Sequence, residues 1–107
     1  MTTPRTTAAA ADVWFVYVLL CADGSLYTGV AKDVTRRVRA HDEGKGARYT
    51  RGRGPLELVA SARCGTHGQA LRVELAMKRL AKDEKVRVTR SGRSLAAFAR
   101  AHRDPPR

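Results

Sequence analysis

The sequence predicts a small α/β protein of the α+β type. A three-stranded antiparallel sheet is flanked by helices in the order β-β-α-β-α, with a further C-terminal helix. Residues 13–20 (VWFVYVLL) are β-branched, aromatic and aliphatic, which is typical of a central strand buried on both faces. Asp23-Gly24 predicts a tight hairpin turn into a second strand over residues 25–30. Because no crossover helix fits between the two runs, these strands must be antiparallel.

The remaining elements follow from capping and turn signals. Asp33 is suited to cap a helix that runs to about residue 40 or 41. The glycine-rich, basic residues 42–54 predict a loop, and residues 56–62 predict a third strand. Thr66-x-x-Gln69 has the form of a capping box, which predicts a helix from about residue 67 to residue 80. Residues 82–88 predict a short helix, and residues 91–107 predict a weak, basic helical segment.

The length and composition predict one small globular domain. The chain has 107 residues, of which 43% are hydrophobic, so we expect no second domain with its own cofactor fold. We expect a disordered N-terminal tail over residues 1–12, a folded domain over residues 13–90 and a basic C-terminal tail over residues 91–107.

Charge, cysteine content and hydropathy restrict the partners and the compartment. Lys and Arg number 21 against 10 Asp and Glu, a formal charge of +11, which favours nucleic acid as partner over an anionic membrane surface or a merely solvated surface. Cys21 and Cys64 form no metal-binding motif and predict free thiols in a reducing compartment. Residues 13–22 are too short to span a membrane, so we expect a cytoplasmic protein without a membrane partner.

Three groups of residues suggest chemistry, and each has a structural alternative. Tyr17 and Tyr27 lie on adjacent predicted strands, where both could equally be core tyrosines. Arg37 and His41 share the inner face of the first helix, where an inward Arg requires an anion such as phosphate, unless it reaches solvent while His41 caps the helix. Glu74 could ligate a hard divalent cation, or it could form a surface pair with Lys78.

Together these residues form the parts of a phosphodiesterase: a phenol to activate water, a guanidinium for charge on phosphorus and a carboxylate for a metal ion. The same residues resemble the GIY-YIG nuclease family. Its two signature tripeptides correspond to Phe15-Val16-Tyr17 and Tyr27-Thr28-Gly29, and its Arg, helix His and metal-binding Glu correspond to Arg37, His41 and Glu74. The resemblance covers about residues 13–88 and implies the GIY-YIG fold.

Further segments are similar to one branch of that family. Residues 44–52 (GKGARYTRG) and Lys78-Arg79-Leu80 resemble the small stand-alone bacterial members, which are similar to the catalytic subunit of the eukaryotic structure-selective nuclease. The chain departs from some members in having Val30 where they carry Lys, and it contains no Asn.

The resemblance implies a metal-dependent DNA endonuclease, structure-selective and linked to DNA repair or recombination. Tyr17 or Tyr27 would take a proton from water, Arg37 would stabilise charge on phosphorus, His41 would orient a tyrosine or relay the proton, and Glu74 would hold a single Mg²⁺ or Mn²⁺. We expect branched, flapped or damaged DNA as substrate and a protein partner that supplies specificity. The expected DNA contacts are Lys32, Arg36, Lys45, Arg48, Tyr49, Arg51, Arg53, Lys78 and Arg79.

Two alternatives belong to other classes. A basic module that binds DNA or RNA without cleaving it fits the composition equally well, but it gives no reason for the tyrosines, Arg37, His41 and Glu74 to occur together. A membrane-surface protein ranks last, because neither the helix of Arg37 nor that of Glu74 contains an aromatic residue to insert into lipid. Tyr49 could stack on an unpaired base or anchor its loop on the sheet.

Overall fold

The computed structural model describes residues 12–105, and the order of elements is the predicted one. The strands are β1 (Trp14–Leu20), β2 (Leu26–Ala31) and β3 (Glu57–Gly65). The helices are α1 (Val34–Asp42), α2 (His67–Lys78), α3 (Lys82–Val88) and α4 (Gly92–His102), with a 3-10 turn at Arg48–Thr50. The fold is α+β, as predicted from the sequence.

The sheet has the strand order β2-β1-β3, and both pairings are antiparallel. Tyr17 on the central strand lies opposite Gly29 of β2 and Ser61 of β3. The β1–β2 connection is longer than a two-residue turn, since it spans residues 21–25 and is closed by a hydrogen bond from Cys21 N to Ser25 O of 2.8 Å. Within it Gly24 has φ +85°, the left-handed conformation that glycine adopts readily.

Helices cover both faces of the sheet, as the apolar run of β1 predicts. Val16 and Val18 point to one face and pack into a core with residues of α2 and α4, including Met77 and Leu95. Tyr17 and Leu19 point to the other face, which is lined by Tyr27 and by the half-buried valines of α1. Burial on both faces explains why β1 is apolar throughout.

The capping residues act as their sequence context predicts. The Asp33 side chain accepts a hydrogen bond from Arg36 N at the start of α1. Thr66 and Gln69 form a complete capping box at the start of α2. Both pairs satisfy backbone N–H groups that a helix N-terminus leaves without partners.

The third strand differs from its prediction in length and in register. It continues to Gly65, with Ala60, Ala62 and Cys64 buried at alternate positions. An irregularity between Val18 and Leu19 places Leu58, and not Val59, opposite Leu19, and Leu58 is 41% exposed. Leu56, Leu58 and Ala60 alternate along the sequence as if all three faced the core, but an extra residue in the strand turns Leu58 outward.

The C-terminal segment is part of the folded domain. Helix α4 packs on β3, and Leu95 and Ala99 are fully buried in the core shared with α2. The expected boundary at residue 90 is therefore wrong for the described part of the segment, since the core is incomplete without α4. The expected N-terminal tail lies outside the described residues, apart from Asp12.

The structure also bears on the cysteines and on membrane-spanning segments. Cys21 and Cys64 are both buried free thiols, as predicted. Among residues 12–105, no helix has the length and apolar character needed to cross a membrane.

Candidate active site

The hydroxyl of Tyr17 is the centre of the candidate site. Tyr17 lies in the middle of the sheet and is 1% exposed. Its ring passes over Gly29 on the neighbouring strand, and a Cβ at residue 29 would lie 2.5 Å from the Tyr17 hydroxyl oxygen. The glycine therefore allows the phenol to reach across β2, which is an edge strand of the sheet.

His41, at the end of α1, holds this hydroxyl. Its Nε2 lies 2.8 Å from Tyr17 Oη, and the imidazole is 2% exposed. Tyr27 completes an aromatic cluster, with ring centroids 6.3 Å from Tyr17 and 5.1 Å from His41. The structure therefore brings together three of the residues that the sequence singled out, from β1, β2 and α1.

Thr50 fixes His41 from the opposite side and was missed by the sequence analysis. His41 Nδ1 lies 2.8 Å from Thr50 Oγ1, and that hydroxyl donates to Ala47 O at 2.9 Å. Two contacts bear on the tautomer of His41. The Thr50 hydroxyl donates to Ala47 O at 2.9 Å, which favours a proton on Nδ1 and leaves Nε2 to accept from Tyr17, whereas the Ala47 N–H is directed at Nδ1 over 3.4 Å, which favours the other tautomer. The shorter of these two contacts favours the proton on Nδ1.

The sequence carried a weak signal for this contact. Thr50 is a polar residue in the predicted loop over residues 42–54, and the 3-10 turn buries it against His41. Gly46 in the same loop also indicates a close approach to His41, because a Cβ there would collide with the imidazole. Only the fold shows that this loop closes over α1, so spacing alone could not identify Thr50.

The surroundings of Tyr17 and His41 favour their neutral forms. Burial, the nearby Tyr27 and the charge of Glu74 raise the pKa of Tyr17 to about 12, while the Arg37 guanidinium opposes that rise. Burial, followed by the positive charge of Arg37, lowers the pKa of His41. At neutral pH, His41 is therefore an uncharged acceptor for the proton of Tyr17.

Arg37 lies at the edge of this cluster and is exposed. Of the two alternatives for Arg37, its exposure agrees with a guanidinium that reaches solvent, while on the same face of α1 His41 is buried and Val34 and Val38 are half-buried. Exposure keeps the guanidinium solvated, which avoids the cost of burying an unpaired charge. Its charge still acts on Tyr17 and His41, so it remains at the site.

Glu74 approaches Tyr17 from α2. Its side chain is 20% exposed and forms an ion pair of 3.4 Å with Lys78, the structural alternative expected from the sequence. Its negative charge nevertheless acts on the Tyr17 hydroxyl. The structure therefore places His41 and Tyr27 against Tyr17, while the charges of Arg37 and Glu74 act on its hydroxyl.

The donor set suits one hard divalent ion that is held mainly by its substrate. Within residues 12–105 there is no cluster of three His, Cys, Asp or Glu side chains that could enclose a metal. Mg²⁺ commonly binds through one or two carboxylates together with phosphate oxygens and waters. Glu74, which is partly exposed and whose charge acts on the Tyr17 hydroxyl, therefore fits such an ion as its carboxylate ligand.

Two grooves flank the site along β2. One, of about 360 Å³, is lined by Trp14, Lys32, Arg36 and Arg37 among others. The other, of about 350 Å³, is lined by residues including Tyr27, Tyr49, Lys78 and Lys85. Four of the expected DNA contacts therefore border the site, and Lys85 adds a further cation there.

The other expected DNA contacts lie in different surroundings. Lys45, Arg48 and Arg51 are exposed around the loop that covers His41. Arg79 instead lines a pocket between α2 and α4, together with Ala101 and His102.

Tyr49 and Arg53 have partners within the protein. The ring of Tyr49 stacks on Tyr27 at a centroid distance of 5.8 Å, and the Arg53 guanidinium lies 4.3 Å from the Tyr49 ring centroid. Arg53 also pairs with Asp23 in the β1–β2 connection, and its carbonyl accepts from Ala22 N. These contacts favour Tyr49 as an anchor for its loop over Tyr49 as a free stacking surface.

Comparison with known proteins agrees with this geometry. Residues 13–87 match the GIY-YIG catalytic domain family. The chain is 51% identical over 77 residues to a UPF0213 protein of Nitratidesulfovibrio vulgaris, covering 72% of this chain and 70% of that one. It is 42% identical over 92 residues to the UPF0213 protein YhbQ of Escherichia coli K12, covering 86% and 92% of the two chains.

A solution NMR structure of a UPF0213 protein from Bacillus halodurans is also similar, with 46% identity, a TM-score of 0.47 and coverage of 71% of this chain and 81% of that one. The nucleases of the matched family generally use a divalent metal ion. The chain therefore belongs to the GIY-YIG catalytic domain family, together with small bacterial UPF0213 proteins, and this membership implies a nuclease that acts on nucleic acid.

Proposed function

We propose that this protein is a metal-dependent endonuclease that hydrolyses phosphodiester bonds in DNA. One observation carries the proposal: the Tyr17 hydroxyl, hydrogen-bonded to His41 at 2.8 Å, is acted on by the opposite charges of Arg37 and Glu74. A core tyrosine needs only a hydrogen-bond partner, so charged groups of both signs acting on one buried hydroxyl favour a chemical role.

In the proposed reaction, Tyr17 acts as its phenolate, and phosphorus exchanges the leaving oxygen for a water oxygen. As the water oxygen bonds to phosphorus, a water proton passes to the Tyr17 phenolate, and the phenol so formed donates a hydrogen bond to His41 Nε2. The bond from phosphorus to the leaving oxygen breaks, that oxygen takes a proton from solvent, and Tyr17 loses its proton to solvent before the next turnover. The Nδ1–H···Thr50 contact keeps Nε2 free to accept.

Charge at the site supports this proton path. A pKa of about 12 leaves only about one Tyr17 hydroxyl in 10⁵ ionised at pH 7, so the phenol needs nearby positive charge to act as a base. Arg37 supplies one such charge and would also stabilise the negative charge that develops on phosphorus. A Mg²⁺ or Mn²⁺ bound to Glu74 would add positive charge beside the phosphate oxygens.

The substrate that we propose is DNA recognised by its structure. The cations bordering the two grooves suit phosphate contacts, which position a nucleic acid without reading its sequence. We therefore propose branched, flapped or damaged DNA as substrate, a role in repair or recombination, and a protein partner that presents the substrate. The buried free thiols favour action in the cytoplasm.

The experiment that tests the proposal is a cleavage assay on labelled flap, fork, four-way and single-stranded DNA, with Mn²⁺, with Mg²⁺ or with chelator. Glu74→Ala and Arg37→Ala are compared with Arg100→Ala, an exposed residue of α4 that lines neither groove. Each variant is first shown to fold by its circular dichroism and melting curve.

We expect metal-dependent cutting of one class of structure by the wild type and by Arg100→Ala, and a loss of at least about 10²-fold in the two site variants. Salt-sensitive binding without cutting in any lane would instead support a binding module without turnover. Cutting that persists in both site variants would show that the site is assigned wrongly.

A further inference from the structure

We propose that the groove beside Arg37 is a nucleobase subsite, in which an unpaired base of single-stranded DNA stacks on Trp14 while Lys32 and Arg36 hold its phosphates. The inference deepens the proposed function and rests on it for the position of the scissile phosphate. It assigns a role to Trp14, the only tryptophan of the chain, which the proposed reaction does not use.

Trp14 presents a supported aromatic surface. It begins β1, is half-buried, and packs one part of its surface against the core. Its ring stacks with the His67 imidazole at a centroid distance of 4.0 Å and an angle of 25°. Trp14 lines the groove and His67 does not. The imidazole therefore packs on the indole outside the groove, while Trp14 also forms part of the groove wall. A ring held in this way loses little freedom when a base stacks on it.

The charges around the groove suit a phosphate chain. Lys32 Nζ lies over the Trp14 ring, 5.8 Å from its centroid, so a base that stacks there would displace the ammonium toward a phosphate. The exposed Lys32, Arg36 and Arg37 all border the groove. Among residues 12–105, the only acidic residue bordering it is Asp33, whose carboxylate caps α1. The groove therefore joins an aromatic, apolar wall of Trp14 and Val30 to three cations, the combination that binds single-stranded nucleic acid without regard to sequence.

The volume of the groove and its position beside Arg37 indicate which ligand it would bind. Its volume of about 360 Å³ falls at the lower end of the roughly 300–1,000 Å³ typical of small-ligand sites, so it suits one nucleotide better than a duplex. Arg37 belongs both to the groove and to the candidate active site. A base in the groove would therefore lie next to the phosphate at Tyr17, and the favoured substrate would carry an unpaired nucleotide beside the cut.

The single tryptophan gives a direct test that needs no cleavage. In chelator, the intrinsic fluorescence of the wild-type protein is titrated with a short oligothymidylate, with an abasic oligonucleotide of equal length, and with inorganic polyphosphate. Anisotropy of a labelled strand measures binding in parallel. We expect the base-bearing strand to quench Trp14 and the other two polyanions to bind with little quenching. Equal quenching by the abasic strand, or binding of the base-bearing strand without quenching, would overturn the subsite.

Variants separate stacking from charge. Trp14→Leu should weaken binding of the base-bearing strand by about 10-fold and leave binding of the abasic strand unchanged, because only stacking is lost. Lys32→Ala should weaken binding of both strands, and Arg100→Ala should weaken neither. Because Trp14 also contacts the core, His67→Ala provides a second variant, for which we expect reduced quenching. Unchanged affinity of a folded Trp14→Leu would refute the proposal.

A cleavage assay on the same samples separates the two proposals. Base-dependent quenching in a protein that cuts no DNA with Mn²⁺ or Mg²⁺ would support the subsite and overturn the nuclease. Metal-dependent cutting without base-dependent quenching would support the nuclease and overturn the subsite.

Discussion

At the residue scale, the geometry distinguishes the two tyrosines. Tyr17 is bonded to His41, whereas Tyr27 contributes its ring to the cluster and supports Tyr49. We therefore expect Tyr17 to be the base. Because the pKa of Tyr17 is raised to about 12, the reactive phenolate becomes more abundant as pH rises. His41 must remain neutral so that its Nε2 can accept a hydrogen bond from the protonated Tyr17.

The pH dependence of cleavage tests this assignment. The rate with Mn²⁺ should rise by up to about tenfold per pH unit between roughly pH 6 and pH 9, as expected for a base with a pKa far above this range. Tyr17→Phe should lose about 10²-fold or more in rate, while Tyr27→Phe should keep the slope. A Tyr17→Phe protein with the wild-type rate and slope would exclude Tyr17 as the base.

Thr50 provides the second prediction at this scale. Thr50→Val removes the acceptor of the His41 Nδ1 proton, so the rate should fall by about tenfold and the ¹⁵N shifts of His41 should indicate a mixture of tautomers. Thr50→Ser retains the hydroxyl and should restore both the rate and the shifts. If Thr50→Val left the His41 shifts unchanged, Thr50 would merely pack against the ring.

At the element scale, the strands and helices that could be predicted are those marked by a local sequence pattern. Burial on two faces explains β1, and the side chains of Asp33 and Thr66 start helices where their capping patterns predict. The candidate catalytic set was predicted from spacing and resemblance. The burial of Thr50, the turn of Leu58 toward solvent and the exposure of Arg37 depend on how the loop, β3 and α1 pack together, and no local pattern specifies that packing.

Helix α4 illustrates the same limit and gives the element-scale prediction. The basic composition of residues 91–107 suggested a tail, yet Leu95 is fully buried. Leu95→Ala should lower the free energy of unfolding by about 2–5 kcal/mol, measured by urea denaturation. Leu75→Ala on α2, where the leucine is 51% exposed, is the control and should cost less than about 1 kcal/mol. A similar small loss for both variants would mean that α4 does not contribute to the core.

At the scale of the whole molecule, part of the basic charge behind the net +11 borders the site. The two grooves place cations on either side of Tyr17, whereas Arg79 and Arg100 lie elsewhere on the surface. A DNA strand following the edge of β2 would therefore meet both grooves and pass the Tyr17 hydroxyl between them. This path accounts for phosphate binding without any reading of sequence.

The salt dependence of binding tests this path. In chelator, the logarithm of the affinity for single-stranded DNA should fall linearly with the logarithm of salt concentration. Lys32→Ala and Arg36→Ala should each reduce the magnitude of that slope by roughly 0.7, the value for one phosphate of a single strand. Arg100→Ala should leave it unchanged. If all three variants had the slope of the wild type, the DNA would bind elsewhere on the protein.

The most direct test of the central claim is the rate at which Glu74→Gln cuts the preferred DNA structure with Mn²⁺, compared with the wild type and with Glu57→Gln, an exposed glutamate on β3. The substitution keeps the shape of the side chain and removes the charge that would hold the metal ion. We predict a loss of at least about 10²-fold for Glu74→Gln and none for Glu57→Gln. Cutting by Glu74→Gln at the wild-type rate, with the same dependence on Mn²⁺, would contradict the account.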